Sequence, residues 1–168
     1  MHHLVLVLVP PDTEDVAAKT EELMAPHKEF KWDWWRIGGR WDGAVYGERR
    51  WMGSSTLASS EEEPLAAIKM HLAESESGHM PLEYNVRRVS ELAEAMSGFA
   101  VVTPDGEWHE PEDWGWLVRE LSEKVRGESH PSEWTEEERK GLLDWNREVR
   151  TLLCRHQDCL AVACDVHN

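Results

Sequence analysis

The chain has 168 residues, of which 40% are hydrophobic and 30% are charged. This length and composition predict one folded domain with a sizeable core, and they exclude a disordered chain. The formal net charge of -15 disfavours direct binding to the phosphate backbone of nucleic acids. The longest apolar run, residues 4–9, is too short to span a membrane. No signal peptide is evident either, so we expect a cytoplasmic protein.

The N-terminal segment predicts a strand followed by a packed helix. Residues 4–9 alternate Leu and Val without a polar residue, as in a strand covered on both faces or placed centrally in a sheet. Asp12 or Thr13 is expected to cap the helix that follows. Pro26 is expected to stop that helix, because proline cannot donate the next helical hydrogen bond.

A tryptophan-rich segment follows, and the chain holds ten Trp beside two Tyr and two Phe. Residues 31–37 and 41–46 read as two strands or one bent hairpin, with Gly38 and Gly39 forming the kink.

Alternation along residues 31–37 separates the side chains into two rows. It predicts Trp32, Trp34 and Arg36 on one face of the strand. It predicts Trp35 and Ile37 on the other face, packed inward.

The remaining elements are predicted from periodicity and turn residues. They are a loop at 51–63, a short helix at 64–73, a loop at 74–80, a strand at 98–103, a turn at 104–106, a return strand from 107, a helix at 114–125, a loop insertion near 126–132, a long helix from a capping box at 135–138 to about 153, and a final strand at 160–167. This order predicts a single α+β domain over residues 1–168: a ferredoxin-like sandwich with a mostly antiparallel sheet and helices on one face.

The Gly38-Gly39-Arg40 step is a candidate ligand-binding segment. The glycines let the backbone approach a ligand closely, and the guanidinium that follows suits phosphate or carboxylate. Neighbouring Trp rings can stack on a base or a sugar. The proposed ligand-binding residues are Trp34, Gly38, Gly39, Arg40, Trp41, Asp105 and Trp108. The alternative is that the glycines serve a bulge, that Arg40 pairs with Asp42 or Asp33, and that the Trp rings pack in the core.

Two strands end in polar residues that could carry acid–base or metal chemistry. Small residues lead to Asp165 and His167 on one face of the last strand, and Glu107 and His109 share a face of the return strand. If these strands are neighbours, the four side chains converge, and carboxylates with imidazoles can exchange protons or bind a divalent metal. The alternative is surface histidines beside carboxylates, since no zinc motif is present.

The three cysteines, Cys154, Cys159 and Cys164, give no nucleophile motif. Their odd number argues against a disulfide framework. Helix and core packing is the expected role of these thiols.

Five segments carry a resemblance to known proteins: residues 23–26 (LMAP), 33–43 (DWWRIGGRWDG), 103–110 (TPDGEWHE), 115–116 (GW) and 165–167 (DVH). In these segments the chain resembles a group of small uncharacterised proteins encoded by actinobacteria and their phages. More remotely, the segment ending in GGRW is similar to the WGTKW segment of Api92-like proteins, which carry a ferredoxin-like domain. The resemblance implies a shared fold and a shared site, and it implies no activity.

Three functions remain open at this point. The first is a module that binds a small anionic, ring-bearing ligand such as a nucleotide, which a phage could use to sequester a signalling nucleotide. The second is a metal-assisted or acid–base hydrolase that uses His109, His167, Glu107 and Asp165. The third is an acidic protein that inhibits a host factor through residues 51–63 and 135–148.

Overall fold

The computed structural model describes residues 2–47, 80–92, 96–111 and 135–167. These residues form six strands and two α-helices, besides short 3-10 turns. The strands are β1 His2–Val9, β2 Trp34–Ile37, β3 Val86–Arg88, β4 Ala100–Val102, β5 Trp108–His109 and β6 Leu160–His167; the helices are α1 Val16–Met24 and α2 Glu136–Arg155.

The six strands form one sheet in the order β2-β6-β1-β4-β5, with β3 also pairing with β6. Strand β1 lies in the middle, parallel to β4 and antiparallel to β6. The β2–β6, β3–β6 and β4–β5 pairs are antiparallel as well, so the predicted mostly antiparallel sheet is confirmed. The central position of β1 agrees with its uninterrupted apolar sequence. The finer prediction of a ferredoxin-like arrangement is not confirmed by this topology.

The two helices pack on opposite faces of the sheet, so the prediction of helices on one face is wrong. Leu4, Leu6 and Leu8 of β1 share a buried cluster with Trp145 and Val149 of α2. The alternating residues of the same strand share a second buried cluster with the end of α1; these are Val5, Val7, Val9, Leu23 and Met24. A central strand that is apolar on both sides needs a cover on both sides, and one helix supplies each. We call the two sides the α2 face and the α1 face.

Helix α1 begins later than its sequence predicts. Asp15, rather than Asp12 or Thr13, is the N-cap, and its carboxylate accepts a hydrogen bond from the Ala18 N–H at 2.9 Å. The preceding residues form a turn instead, in which the Thr13 N–H donates to the Pro10 carbonyl at 3.2 Å. The helix ends as predicted, since Pro26 lies in the 3-10 turn that follows Met24.

Residues 41–46 do not form the predicted strand. The segment from residue 39 to residue 46 instead forms two 3-10 turns, Gly39–Trp41 and Ala44–Tyr46, separated by Asp42 and Gly43. Gly43 has a φ of 76°, a left-handed conformation that interrupts an extended strand. The short strand β3, which pairs with residues 160–162 of β6, has no counterpart in the sequence prediction.

Several predicted elements lie outside the described residues. They are the loop at 51–63, the helix at 64–73, most of the loop at 74–80, the helix at 114–125 and the insertion near 126–132.

Within the described ranges, no helix combines the length and the apolar character that a membrane crossing requires.

Candidate functional site

Three aromatic rings meet at the edge of the α2 face, and we call them the ring cluster: His2, Trp34 and His167. His167 of β6 pairs directly with His2 of β1 on one side and with Trp34 of β2 on the other. Directly paired residues project to the same face of a sheet, so all three side chains lie together. The His2 ring centroid is 5.1 Å from that of His167 and 5.9 Å from that of Trp34. The cluster therefore joins two imidazoles to an indole that is 44% exposed.

Each imidazole of the cluster is held by a carboxylate at its Nδ1 atom. His2 Nδ1 lies 2.9 Å from Oδ1 of Asp165, and His167 Nδ1 lies 2.9 Å from Oδ1 of Asp33. The Asp165 side chain is only 2% exposed, whereas Asp33 lies at the surface. A carboxylate at Nδ1 fixes the ring orientation and directs Nε2 to other partners.

The pKa of Asp33 lies below its ordinary value, chiefly because the carboxylate is hydrogen-bonded to His167. A depressed pKa stabilises the folded chain above the pKa of Asp33 in the unfolded chain. This contribution is lost as the pH falls through the folded-state value. Since Asp33 is surface-exposed, solvent keeps the effect small.

The Gly38-Gly39-Arg40 turn wraps around the carboxylate of Asp165. The Arg40 N–H donates to Oδ2 of Asp165 at 3.0 Å, and the Gly38 N–H donates to the carbonyl of Ala163 at 2.9 Å. A Cβ atom on Gly39 would lie 2.6 Å from Asp165 Oδ2. The backbone cradle that the sequence suggested for a ligand is thus occupied by the chain's own carboxylate. Arg40 itself is exposed.

A second buried polar pair closes the same turn. The Asp42 carboxylate accepts a hydrogen bond from the Asn85 amide at 2.8 Å, and Asn85 accepts one from the Gly43 N–H at 3.0 Å. A Cβ atom on Gly38 would lie 2.0 Å from Asp42 Oδ1, so the glycine is required for this closure. Asp42 therefore anchors the turn to Asn85 rather than to the guanidinium of Arg40.

The tryptophan rows agree with the sequence prediction except at Trp32. Trp35 and Ile37 pack on the α1 face, and Trp34 and Arg36 lie on the α2 face, as predicted. Trp32 is buried on the α1 face with Trp35, at a ring-centroid distance of 6.3 Å. The prediction for Trp32 is wrong because β2 begins at Trp34, so strand alternation does not extend back to Trp32.

Trp41 packs against the core on the α2 face. Its indole Nε1 is buried and has no hydrogen-bond partner within the part of the chain that the structure describes. This placement gives Trp41 a packing role.

Glu107 and His109 lie toward the opposite edge of the sheet from Asp165 and His167. Strands β5 and β6 are separated by β1 and β4, which places them about 14 Å apart at ordinary strand spacing. The condition for the four residues to converge, that the two strands be neighbours, is therefore not met. His109 instead lies 3.5 Å from a Glu107 oxygen and 3.8 Å from a Glu148 oxygen of α2. It lines a cleft of about 300 Å³ together with Asp144, Arg147, Glu148, Thr151, Leu152 and Arg155.

Asp105 and Trp108 are also remote from the ring cluster. Asp105 lies in the tight turn that joins β4 to β5 and accepts a hydrogen bond from the Thr103 hydroxyl at 2.5 Å. This bond lowers the pKa of Asp105. The Trp108 indole donates to Glu110 at 2.8 Å and lies 5.2 Å from the His27 ring on the α1 face. Both residues stabilise the turn and the sheet edge where they lie.

No group of three or more His, Cys, Asp or Glu side chains is arranged to hold a metal ion among the residues that the structure describes. The cysteines are free thiols, with Cys154 exposed and Cys159 and Cys164 buried. Burial raises the pKa of the Cys164 thiol far above its ordinary value, which keeps it protonated and unreactive.

The sequence prediction missed two residues of the site, His2 and Asp33. His2 occupies the same alternation as Leu4, Leu6 and Leu8, so the sequence places it on the face that those residues share. Asp33 directly precedes the strand that carries Trp34. The pairing of β6 with both β1 and β2 brings these residues to His167, and no local pattern encodes that pairing.

Comparison with known proteins gives no match: no protein-family model matches the chain, and no curated protein and no solved structure matches it either.

Proposed function

We propose that this protein binds a small anionic ligand that carries an aromatic ring, such as a nucleotide, at the ring cluster. The observation that carries the proposal is the meeting of an exposed indole with two imidazoles whose Nδ1 atoms are each held by a carboxylate. The indole supplies a stacking surface for a base. The imidazoles supply N–H donors, and positive charge when protonated, for a phosphate.

The exposed side chain of Arg40 is the second source of positive charge. The Arg40 N–H and the His2 ring bind the two oxygens of the same Asp165 carboxylate, so the residue is anchored beside the cluster. A guanidinium binds phosphate oxygens in a bidentate manner, which suits this position. Gly38 and Gly39 act in this proposal by building the turn, not by touching the ligand.

The overall charge favours a small ligand over a polymer. A net charge of -15 repels a long phosphate backbone. A mononucleotide or dinucleotide carries few charges, which the local cations of the cluster can balance.

The proposal is tested by calorimetric titration of the protein with a panel of nucleoside mono- and diphosphates. We expect Trp34→Ala to weaken binding about 5- to 150-fold, because one base–aromatic stack contributes about 1–3 kcal/mol. The matched control is Phe30→Ala, which removes another exposed aromatic ring, 88% exposed and outside the cluster. Phe30→Ala should bind like the wild type. Absence of binding by the wild type to the whole panel would contradict the proposal.

A further inference from the structure

We propose that His2 and His167 are an acid–base pair that cleaves a ribonucleoside phosphodiester bound at the ring cluster. This inference rests on the proposed function, because Trp34 is the surface on which the base of the substrate stacks. It adds to that function a reaction, a substrate class and a catalytic residue, His2.

The first support is the orientation of the two rings. A neutral imidazole that donates its Nδ1–H to a carboxylate carries its lone pair on Nε2 and acts there as a base. A protonated imidazole in the same position carries N–H on Nε2 and acts there as an acid. Asp165 orients His2 in this way, and Asp33 orients His167. Both rings are therefore suited to move protons through Nε2.

The second support is the distance between the rings. His2 and His167 are direct cross-strand partners on the α2 face, with centroids 5.1 Å apart. Two groups this close can serve the two ends of one reacting phosphoryl group. The Trp34 ring, 5.9 Å from His2, defines the side from which the base enters.

The reaction balances without any further reactant. One imidazole accepts the proton of the substrate 2′-hydroxyl through Nε2, and the 2′-oxygen forms a bond to phosphorus. The bond from phosphorus to the 5′-oxygen of the next nucleoside breaks, and that oxygen takes the Nε2 proton of the other imidazole. The products are a 2′,3′-cyclic phosphate and a free 5′-hydroxyl, and proton exchange with water restores the pair.

The charged groups around the pair are of both signs. Among the described residues, the two carboxylates are Asp165, which contacts His2, and Asp33, which contacts His167. The two cations are Arg36, which lies on β2 directly beside Asp165, and Arg40, which follows the glycine turn. The arginines favour an anionic substrate. Acid–base catalysis by two groups requires one ring to be neutral and the other protonated, so we expect a bell-shaped dependence of the cleavage rate on pH.

The test uses the whole protein with two probes, a dinucleoside monophosphate and its 2′-deoxy analogue. Cleavage is followed by chromatography of the cyclic phosphate, and binding of the uncleavable analogue is measured by calorimetry. We expect His2→Ala and His167→Ala each to lower the cleavage rate about 100- to 10,000-fold, the usual range for loss of a general acid or base. The folded state of each variant is checked by its circular dichroism spectrum.

The matched control is His156→Ala. His156 follows α2, near the end of β6 opposite to His167, and this variant should cleave like the wild type. Equal cleavage by wild type, His2→Ala and His167→Ala would show a contaminating nuclease and overturn the inference. Binding of the deoxy analogue without cleavage of the ribose form would overturn the inference while leaving the proposed function intact. Absence of binding to both probes would overturn the inference, whereas the proposed function is decided separately by the panel of nucleoside mono- and diphosphates.

Discussion

Asp165 is the residue that organises the candidate site. Its two carboxylate oxygens bind different parts of the chain, the His2 ring and the Arg40 N–H. The sequence indicates a polar residue with room above it, because Ala161 and Ala163 precede Asp165 on the same face. It does not indicate that the Gly38-Gly39-Arg40 turn fills this room. A buried carboxylate is stable only when it is hydrogen-bonded, and the turn supplies that bond.

At the residue scale, we predict that Gly39→Ala lowers the free energy of unfolding more than Gly47→Ala does. Both glycines have left-handed backbones, with φ of 65° and 82°. A Cβ atom on Gly39 would overlap Asp165, whereas one on Gly47 would meet nothing within 4 Å. The backbone conformation alone costs about 1 kcal/mol, and the overlap adds about 1–3 kcal/mol at Gly39. Urea denaturation of the two variants measures the difference. Equal losses would show that the carboxylate moves aside without cost.

Helix α2 shows how well an amphipathic element can be predicted from its sequence. The spacing of apolar residues places five of them on one stripe: Leu142, Trp145, Val149, Leu152 and Leu153. Trp145, Val149 and Leu152 are buried in the α2-face cluster, and the other two pack against it, as the periodicity predicts. The Trp145 indole also donates to the carbonyl of Gly98 at 3.0 Å. That bond ties the helix to the segment before β4.

At the element scale, we predict different costs for the same substitution at two positions of α2. Leu152 is 5% exposed and Leu143 is 62% exposed. Leu152→Ala should lower the free energy of unfolding by about 2–5 kcal/mol, since it removes buried methyl groups and leaves a cavity. Leu143→Ala should change it by at most about 0.5 kcal/mol. Chemical denaturation followed by far-UV circular dichroism gives both values. A small effect at Leu152 would mean that α2 contributes little to the core.

At the scale of the whole molecule, two pairs of residues that the sequence suggested as one site lie apart. These pairs are Glu107 with His109 and Asp165 with His167. The strand order places His109 beside α2 and His167 beside His2, with β1 and β4 between their strands. The same arrangement puts a helix on each face of the sheet, so both rows of β1 are buried. The charge of the chain is a separate property, and at -15 it acts against the compact state through self-repulsion.

At the scale of the whole molecule, we predict that salt raises the melting temperature. Ions shorten the range of the repulsion among the excess carboxylates, from a Debye length of about 30 Å at about 0.01 M to about 8 Å at about 0.15 M. For a chain of this size, each 1 kcal/mol gained raises the melting temperature by about 2–4 °C. Scanning calorimetry in NaCl and in KCl separates screening, which is equal for both salts, from specific ion binding. A melting temperature that falls with either salt would indicate that favourable ion pairs outweigh the repulsion.

Local sequence patterns determined much of the secondary structure. The apolar run of β1, the stripe of α2 and the turn at residues 104–106 were all predicted, because periodicity and turn residues act over a few neighbours. The same patterns failed where a backbone constraint interrupted them, at Gly43 and at the start of β2. They also identified Trp34, Arg40, Asp165 and His167, four of the residues at or beside the ring cluster.

Tertiary structure alone decided which of these residues meet. His2 and Asp165 are separated by 163 positions and touch because β1 pairs antiparallel with β6 over eight residues. His109 and His167 carry the same chemistry in the sequence, yet only His167 lies in a strand next to β1 and β2. Strand pairing depends on the burial of both sheet faces by distant segments, so the sequence determined the chemical groups available and the sheet order determined the site.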